Sequence, residues 1–318
     1  MATSGSANFN QTRNEIINDA FQLAGIYGVG RTISGEDMIF AHNLLNKMVK
    51  TWQAQGLHLW TKEEGVLFIA DTTASYTLSS DSSSARVTLK SDEVTTQLNG
   101  AAASGATSLT VDTTTSMATS DNIGIVLDDD TIHWTTISTI PTSTTLTIAT
   151  GLASAAADNN NVYTFTSRIN KPMRILSARR LEGVGTNESS IALHKLSHEE
   201  YFDIPNKNNN GIPNSWYYNP DISTGTFYLW PRPNDPQYRI DFTFERSIED
   251  FDASTDNADF PAEWLEVITY QLASRLCTPF GQSAKFQELV SIAGDLIENV
   301  RSFDNEVGSL FVSPESSR

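Results

Sequence analysis

Apolar residues recur at intervals of three and four in two segments near the start of the chain. The first follows Thr12, which has Glu15 three positions later, the spacing of a helix-capping box. Its apolar positions are Ile16, Ile17, Ala20, Phe21, Leu23 and Ala24. Ser34 can cap the start of the second segment. Gly25 is placed to end the first segment and Gly56 to end the second. The pattern predicts two amphipathic helices.

The same periodicity returns near the end of the chain. Pro261 is typical of a first helical turn, and Pro279 marks the end of that segment. Ser283–Phe303 forms another stripe, with apolar residues at Phe286, Leu289, Val290, Ala293, Leu296, Ile297 and Val300. Two more helices are predicted. Ser197 and Glu200 also have capping-box spacing, which predicts a short helix after Ser197.

A period of two replaces the helical period between Gly225 and Glu245. There the apolar residues Ile240, Phe242 and Phe244 alternate with Arg239, Asp241, Thr243 and Glu245. Such alternation predicts strands of a sheet with one packed face and one face in water.

Residues 98–165 differ in character from their surroundings. Thr, Ser, Ala and Asp dominate, and the short apolar runs are Ser108–Val111, Ile123–Val126, Ile132–Thr135 and Thr145–Ile148. Short strands separated by turns predict a small β-barrel or sandwich inserted into the parent fold.

The predicted class is therefore α+β, with a helical core, an antiparallel sheet and an inserted all-β domain. The helical core consists of an N-terminal and a C-terminal helix pair. The expected divisions are 1–97, an insert at 98–165, 166–303 and a tail at 304–318.

Composition narrows the function. The chain has 318 residues, 39% of them hydrophobic, and a formal net charge of -17. A protein that grips nucleic acid needs clustered Lys and Arg, so this class is disfavoured. No apolar run approaches the ~20 residues of a membrane span, and the first thirty residues lack a signal-peptide pattern, so we expect a soluble, non-secreted protein.

The negative charge is concentrated in two acid-only stretches. No Lys or Arg occurs between Lys90 and Arg168, and all charged residues of Glu249–Glu266 are acidic. Solvated faces that keep the protein soluble are one interpretation.

Enzyme and metal motifs are weak. His194 and His198 are four apart, but the Glu of a zinc-hydrolase motif is missing and Ser197 interrupts the helix. Asp128–Asp130 lacks the alternation of a calcium loop and indicates a hairpin turn. Cys277, the single cysteine, has the pattern of a packed thiol. We expect no catalytic, cofactor or metal site.

Several segments together resemble a known family. They are Leu45–Trp60, Leu196–Pro205, Phe227–Pro233, Asp259–Trp264 and Leu272–Leu276. In this order they resemble the head-to-tail adaptors of short-tailed bacteriophages, also called tail accessory factors or packaged-DNA stabilisation proteins. The resemblance covers most of the chain outside the insert.

The resemblance implies a structural protein of the virion, located at the head–tail junction and assembled in the host cytoplasm. Twelve copies would form a ring beneath the portal protein, and tail tube, nozzle, needle, fibre or spike proteins would dock on it. DNA would pass through its channel without specific binding, and no cofactor is implied.

Two sets of residues are candidates for these roles. Asp250, Asp252 and Asp256 could line the channel, because like charge would lower friction with DNA. Leu310, Phe311 and Val312 lie in an otherwise polar tail and could bind the portal. The alternative for the tail is folding back on the last helix.

Two other functions remain open. A tail-associated enzyme that cleaves peptidoglycan needs a Glu in an apolar niche, and Glu263 beside Trp264 is the candidate. A host-surface-binding module could use Trp134 and Tyr163 of the insert to bind glycans.

Overall fold

The computed structural model describes residues 5–6, 8–56, 59–185 and 188–303. By its contacts the chain divides into a helical unit, residues 1–61 with 248–318, and a strand unit, residues 62–247. The helices are α1 (Arg13–Leu23), α2 (Gly35–Gln55), α3 (His198–Phe202), α4 (Ala262–Cys277) and α5 (Ser283–Phe303). Of these, α3 belongs to the strand unit.

Local capping explains where the helices begin and end. Thr12 and Ser197 each form the reciprocal capping box predicted for them, and the Ser34 side chain accepts the Asp37 amide. Gly56 ends α2 in the left-handed conformation, with φ of 77°. The predictions for these helices are confirmed.

One apolar cluster holds the helical unit together. α4 lies at its centre and contacts α1, α2 and α5. Its buried residues include Trp264, Ile268 and Leu272 of α4, with Phe21 of α1 and Leu45 of α2. The stripes that predicted the helices are thus the faces that meet in this cluster.

Two antiparallel-rich sheets form the body of the strand unit. The first, in the order β11-β10-β15-β1-β3, has five strands. They are β1 (Lys62–Phe68), β3 (Val87–Leu89), β10 (Arg174–Glu182), β11 (Ser189–Ala192) and β15 (Arg239–Glu245). The second, in the order β12-β13-β14-β2, comprises β2 (Ser75–Leu78), β12 (His194–Lys195), β13 (Ser215–Pro220) and β14 (Gly225–Trp230).

The packed face of β15 is as predicted. Ile240, Phe242 and Phe244 join a cluster with residues of the second sheet, where the rings of Phe227 and Phe242 are 6.1 Å apart. Gly65 of β1 makes room for this packing, because a Cβ there would lie 2.8 Å from the Phe242 ring.

The predicted wet face of β15 is wrong at two positions. Arg239 is fully buried and Glu245 is 4% exposed. Arg239 is the cross-strand neighbour of Phe68, whose ring packs against the ring of Phe165. Glu245 is covered by Arg174, which donates to its carboxylate at 2.5 and 2.8 Å. The second face of the sheet is therefore covered at both ends of the strand.

A third sheet has six strands in the order β4-β9-β6-β7-β8-β5. The strands are β4 (Val94–Gln97), β5 (Ser108–Thr110), β6 (Asn122–Val126), β7 (Ile132–Thr139), β8 (Thr145–Ile148) and β9 (Asn161–Phe165). Its two edges meet at a bridge between Leu98 and Val111, flanked by backbone hydrogen bonds of 2.9 and 3.0 Å. The sheet thus closes into a barrel around its own apolar cluster.

Within the described residues, five helices and three sheets confirm the α+β class. The Asp128–Asp130 segment is the predicted hairpin turn, since Val126 pairs with Ile132 across it.

Candidate functional site

The acidic loop, Ile248–Phe260, leads into α4 and carries the three predicted channel residues. Four of its apolar residues, Ile248, Phe251, Ala258 and Phe260, are buried in the cluster of the helical unit. Asp250 and Asp252 lie among these anchors and are exposed. Because apolar anchors hold the loop at intervals, the carboxylates between them remain in solvent.

Contacts with the first two helices fix the course of this loop. The Asn46 side chain donates to the Phe251 carbonyl at 3.2 Å and accepts the Phe251 amide at 3.1 Å. The Arg13 amide donates to the Asp256 carbonyl at 2.8 Å, and the Arg13 side chain donates to the Asp252 carbonyl at 2.9 Å. The loop is therefore held by backbone as well as side-chain contacts.

The three acids have different surroundings. Asp250 forms an ion pair with Lys50 at 2.7 Å, with side chains 49% and 44% exposed. Asp256 is only half-buried, and its carboxylate accepts the amides of Asp252 and Ala253 at 2.8 and 2.5 Å. Asp256 thus closes the turn, whereas Asp252 is exposed. The structure brings the three residues into one loop, and a place beside a channel stays a prediction.

Arg239 is a buried charge whose importance the sequence did not indicate. Its guanidinium pairs with the carboxylate of Glu93 and, at 2.5 Å, with that of Glu188, and it donates to the Gly183 carbonyl at 2.8 Å. Lys90 adds a second cation, 2.7 Å from Glu93. Burial alone would lower the pKa of Arg239, but the neighbouring carboxylates leave that pKa raised. The guanidinium therefore stays charged in the interior.

This charge network connects the barrel to the first sheet. Glu93 directly precedes β4, and the Arg239 guanidinium lies 5.6 Å from the ring centre of Tyr163 in β9. The Tyr163 hydroxyl donates to the Gln237 carbonyl at 3.2 Å and accepts from the side-chain amide of Asn161 at 3.1 Å. Burial raises the pKa of Tyr163 to about 12, so this hydroxyl remains a donor at neutral pH.

An aromatic cluster completes the connection. The Phe68 ring of β1 stacks on Phe165 at 5.6 Å and lies 5.4 Å from Trp134 and 5.2 Å from Tyr163. Gly124 makes room for the indole, since a Cβ there would lie 2.7 Å from Trp134. We call the charge network and this cluster together the barrel joint. It is a packed, charge-paired contact between the barrel and the first sheet.

One sequence signal could have indicated the joint. Glu93 lies at the start of the long segment without Lys or Arg, so Lys90 is its nearest cation along the sequence and any further cation must come from elsewhere in the chain. Arg239 supplies that charge. Tyr163 is fully buried and Arg86 lies 4.9 Å over the Trp134 ring. The two aromatic residues of the glycan-binding alternative are thus engaged in the joint.

The candidates for enzyme and metal chemistry lie in ordinary structural settings. Glu263 is exposed, so the apolar niche expected around a catalytic Glu is missing. His194 is in β12 and His198 begins α3, separated by the Ser197 cap. Cys277 is buried, and burial raises the pKa of its thiol. In the part of the chain that the structure describes, no group of three or more His, Cys, Asp or Glu residues could hold a metal ion.

The predicted portal-binding residues Leu310, Phe311 and Val312 lie outside the described residues. Among the described helices, none is both long and apolar enough to span a membrane.

Comparison with known proteins agrees with the resemblance in the sequence. A family model described as SU10 adaptor protein matches residues 132–303, more than half of the chain. A search of curated proteins found no match. The chain belongs to the SU10 adaptor protein family, and the prediction of a phage adaptor is confirmed.

Proposed function

Proceeding from this membership, we propose that the chain is the head-to-tail adaptor of a phage virion. Twelve copies form a ring under the portal, extend the DNA channel, retain the packaged DNA and provide a platform for tail components. The family match over residues 132–303 carries this proposal. Assembly takes place in the host cytoplasm.

The proposed arrangement is a helical adaptor core with an inserted β domain at residues 98–165; β4 (Val94–Gln97), just before it, is also a strand of the barrel. In support, the barrel has its own apolar cluster, and its edges pair with each other rather than with the first two sheets. The helical core contains the four long helices, and residues 304–318 form the tail.

Ring formation is tested by size-exclusion chromatography with light scattering, on the purified full chain with and without purified portal protein. We expect a closed assembly of about twelve copies at least in the presence of portal. A chain that stays monomeric under both conditions would contradict the ring.

The acidic loop is proposed to face the channel. Packaged DNA is polyanionic, and carboxylates within about 10 Å of it repel it at ordinary salt. The double variant Asp250→Asn with Asp252→Asn should slow DNA ejection from phage particles, most clearly at low salt. Asp256 stays unchanged because its carboxylate closes the turn.

A matched control is Asp112→Asn with Asp130→Asn, which removes the same charge from exposed positions of the barrel. The control should leave ejection kinetics as in wild type. Equal kinetics in both double variants would place the acidic loop away from the DNA.

The tail is proposed to bind the portal through Leu310, Phe311 and Val312. Burying a large apolar side chain contributes roughly 1.5 to 3 kcal/mol before the cost of ordering is subtracted. Deletion from Gly308 onward should abolish binding to purified portal and leave the circular dichroism spectrum unchanged. Retained binding would favour the alternative, a tail folded on its own last helix.

A further inference from the structure

A groove on the helical unit lies between α1 and α4. It has a volume of about 690 Å³, and its lining includes Phe9, Asp19, Leu23, Val29, Leu265 and Glu266. Phe9 is 68% exposed and Val29 87% exposed. Two large apolar side chains thus stand in solvent at the margin of a partly apolar groove, which is typical of a surface that another protein covers.

A second exposed surface lies on the outer side of α2. Ile39 is 63% exposed and Phe40 43% exposed. Ile39, Asn43 and Lys47 follow at intervals of four, so their side chains lie side by side, and all three are exposed. The residues Ala41, Leu45, Met48 and Trp52 take the buried side of the same helix. We call Ile39, Phe40, Asn43 and Lys47 the α2 stripe.

The charges of the two surfaces are complementary. The groove carries the carboxylates of Asp19 and Glu266, and its described lining residues include no Lys or Arg. Two grooves facing each other would bring like charges together, which opposes a symmetric contact. The α2 stripe combines apolar side chains with the ammonium group of Lys47 at its C-terminal end, whereas the exposed Glu36 lies one turn before Ile39. The Lys47 end of the stripe therefore suits the acidic groove better than a second groove does.

We propose that the α2 stripe of one copy docks in the α1–α4 groove of the next copy. The contact joins two different surfaces of identical chains, so each copy uses its stripe on one side and its groove on the other. Such a head-to-tail contact continues from copy to copy and closes when the rotation between copies closes. The inference rests on the proposed ring and assigns its subunit interface.

The test uses two exposed positions on which a charge should not disturb the fold. Val29→Asp places a carboxylate in the acidic groove, and Ile39→Asp places one on the stripe. Under the condition, with or without portal protein, in which the wild-type chain assembles, each variant on its own should remain monomeric by native mass spectrometry and light scattering. Each isolated variant should keep the wild-type circular dichroism spectrum. Ile222→Asp, at a residue 98% exposed in the strand unit, is the control and should assemble like wild type.

Mixing the two variants gives the sharper result. Val29→Asp retains an intact stripe and Ile39→Asp an intact groove, so an equimolar mixture should form heterodimers and nothing larger. A symmetric interface would instead give homodimers of one variant, and an interface elsewhere would leave both variants assembling fully. Either result would overturn the proposal.

A charge exchange tests the pairing independently of the apolar contacts. Glu266→Lys and Lys47→Glu should each weaken assembly, on the order of fivefold for an exposed pair. The double variant should recover most of the loss, whereas additive losses would mean that the two side chains do not meet.

The outcomes also separate this interface from the ring itself. A wild-type chain that never assembles removes both the ring and the interface. Normal rings in both Asp variants remove only the interface. Normal rings of Val29→Asp that no longer bind portal would assign the groove to the portal. Loss of assembly on deletion from Gly308, with Ile39→Asp unaffected, would assign the groove to the tail.

Discussion

The helical unit and the strand unit bury their side chains in different ways. The helices share one apolar cluster, and part of their apolar surface stays uncovered: on α5, Leu289 and Ala293 are buried but Val290 is 42% exposed. In the strand unit, the barrel closes on itself through the bridge between Leu98 and Val111. The helical unit therefore has exposed apolar surface that a partner could cover. In the barrel, the two edge strands pair with each other instead.

The two units also differ in how deeply their ion pairs are buried. In the helical unit, Lys50 and Asp250 pair with nearly half of each side chain exposed. In the strand unit, Arg239 is fully buried and the Glu93 side chain is 4% exposed. A charge in the interior is costly unless it is paired, while a surface pair is largely screened by water. The comparison indicates that electrostatic pairing is structural in the barrel joint and marginal in the helical unit.

The largest effect is expected for Arg239→Met. The substitution leaves the Glu93 carboxylate buried without its guanidinium partner, which should cost about 3–5 kcal/mol of unfolding free energy. Urea denaturation of the full chain measures this loss. Arg179→Met, at an exposed position of the neighbouring strand, is the control and should stay within about 0.5 kcal/mol of wild type. Similar losses of unfolding free energy in both variants would show that the buried charge of Arg239 does not stabilise the barrel joint.

Gly124→Ala should have an intermediate effect. The new methyl would meet the Trp134 ring at 2.7 Å, and overpacking of this kind costs about 1–3 kcal/mol. The same denaturation measurement applies. Gly35→Ala, where the new methyl meets nothing within 4 Å, is the matched control. Gly124→Ala should cost less unfolding free energy in a Trp134→Leu background than in the wild-type background. Equal losses in the two backgrounds would mean that the Trp134 ring is not the obstacle.

Lys50→Met should have a small effect. It removes the pair with Asp250, in which both side chains are nearly half exposed, and a partly buried hydrogen bond to the Ile248 carbonyl. We expect the free energy of unfolding to fall by about 0–1 kcal/mol, and high salt should make this difference smaller. Thermal denaturation at two salt concentrations measures it. A loss as large as that of Arg239→Met would contradict the contrast between the units.

Asp241→Asn should have the smallest effect on stability, and it should stabilise the protein at pH 7 rather than destabilise it. Burial raises the pKa of Asp241, opposed by Lys90 and reinforced by the carboxylates of Glu64, Glu93 and Glu188. A carboxyl whose pKa is raised on folding stabilises the fold below its unfolded pKa, and this contribution is lost as pH rises through the folded pKa. The variant should therefore melt slightly above wild type at pH 7.

The melting difference should narrow as pH falls toward the ordinary aspartate pKa of about 3.9, because the wild-type carboxyl then becomes protonated. Melting curves of both proteins from pH 7 downward give this comparison. A gap that widens on acidification would show that Asp241 is stabilising as a carboxylate.

Much of the helical unit could be predicted from local sequence. The caps at Thr12 and Ser34 and the apolar stripes involve residues only three or four positions apart, so each segment carries its own signal. The grouping of Asp250, Asp252 and Asp256 was also evident, since they lie within one short loop. Their separate surroundings were not, because Lys50 and Arg13 come from distant helices.

The sequence by itself determined the helices, their caps, the α+β class and the adaptor resemblance, because each rests on short-range patterns or on the order of whole segments. Only the tertiary structure decided that the third sheet closes into a barrel and that Arg239 is buried. Alternation along a strand shows which residues share a face, but what covers that face depends on Phe68, Glu93 and Tyr163, which lie far away in the chain.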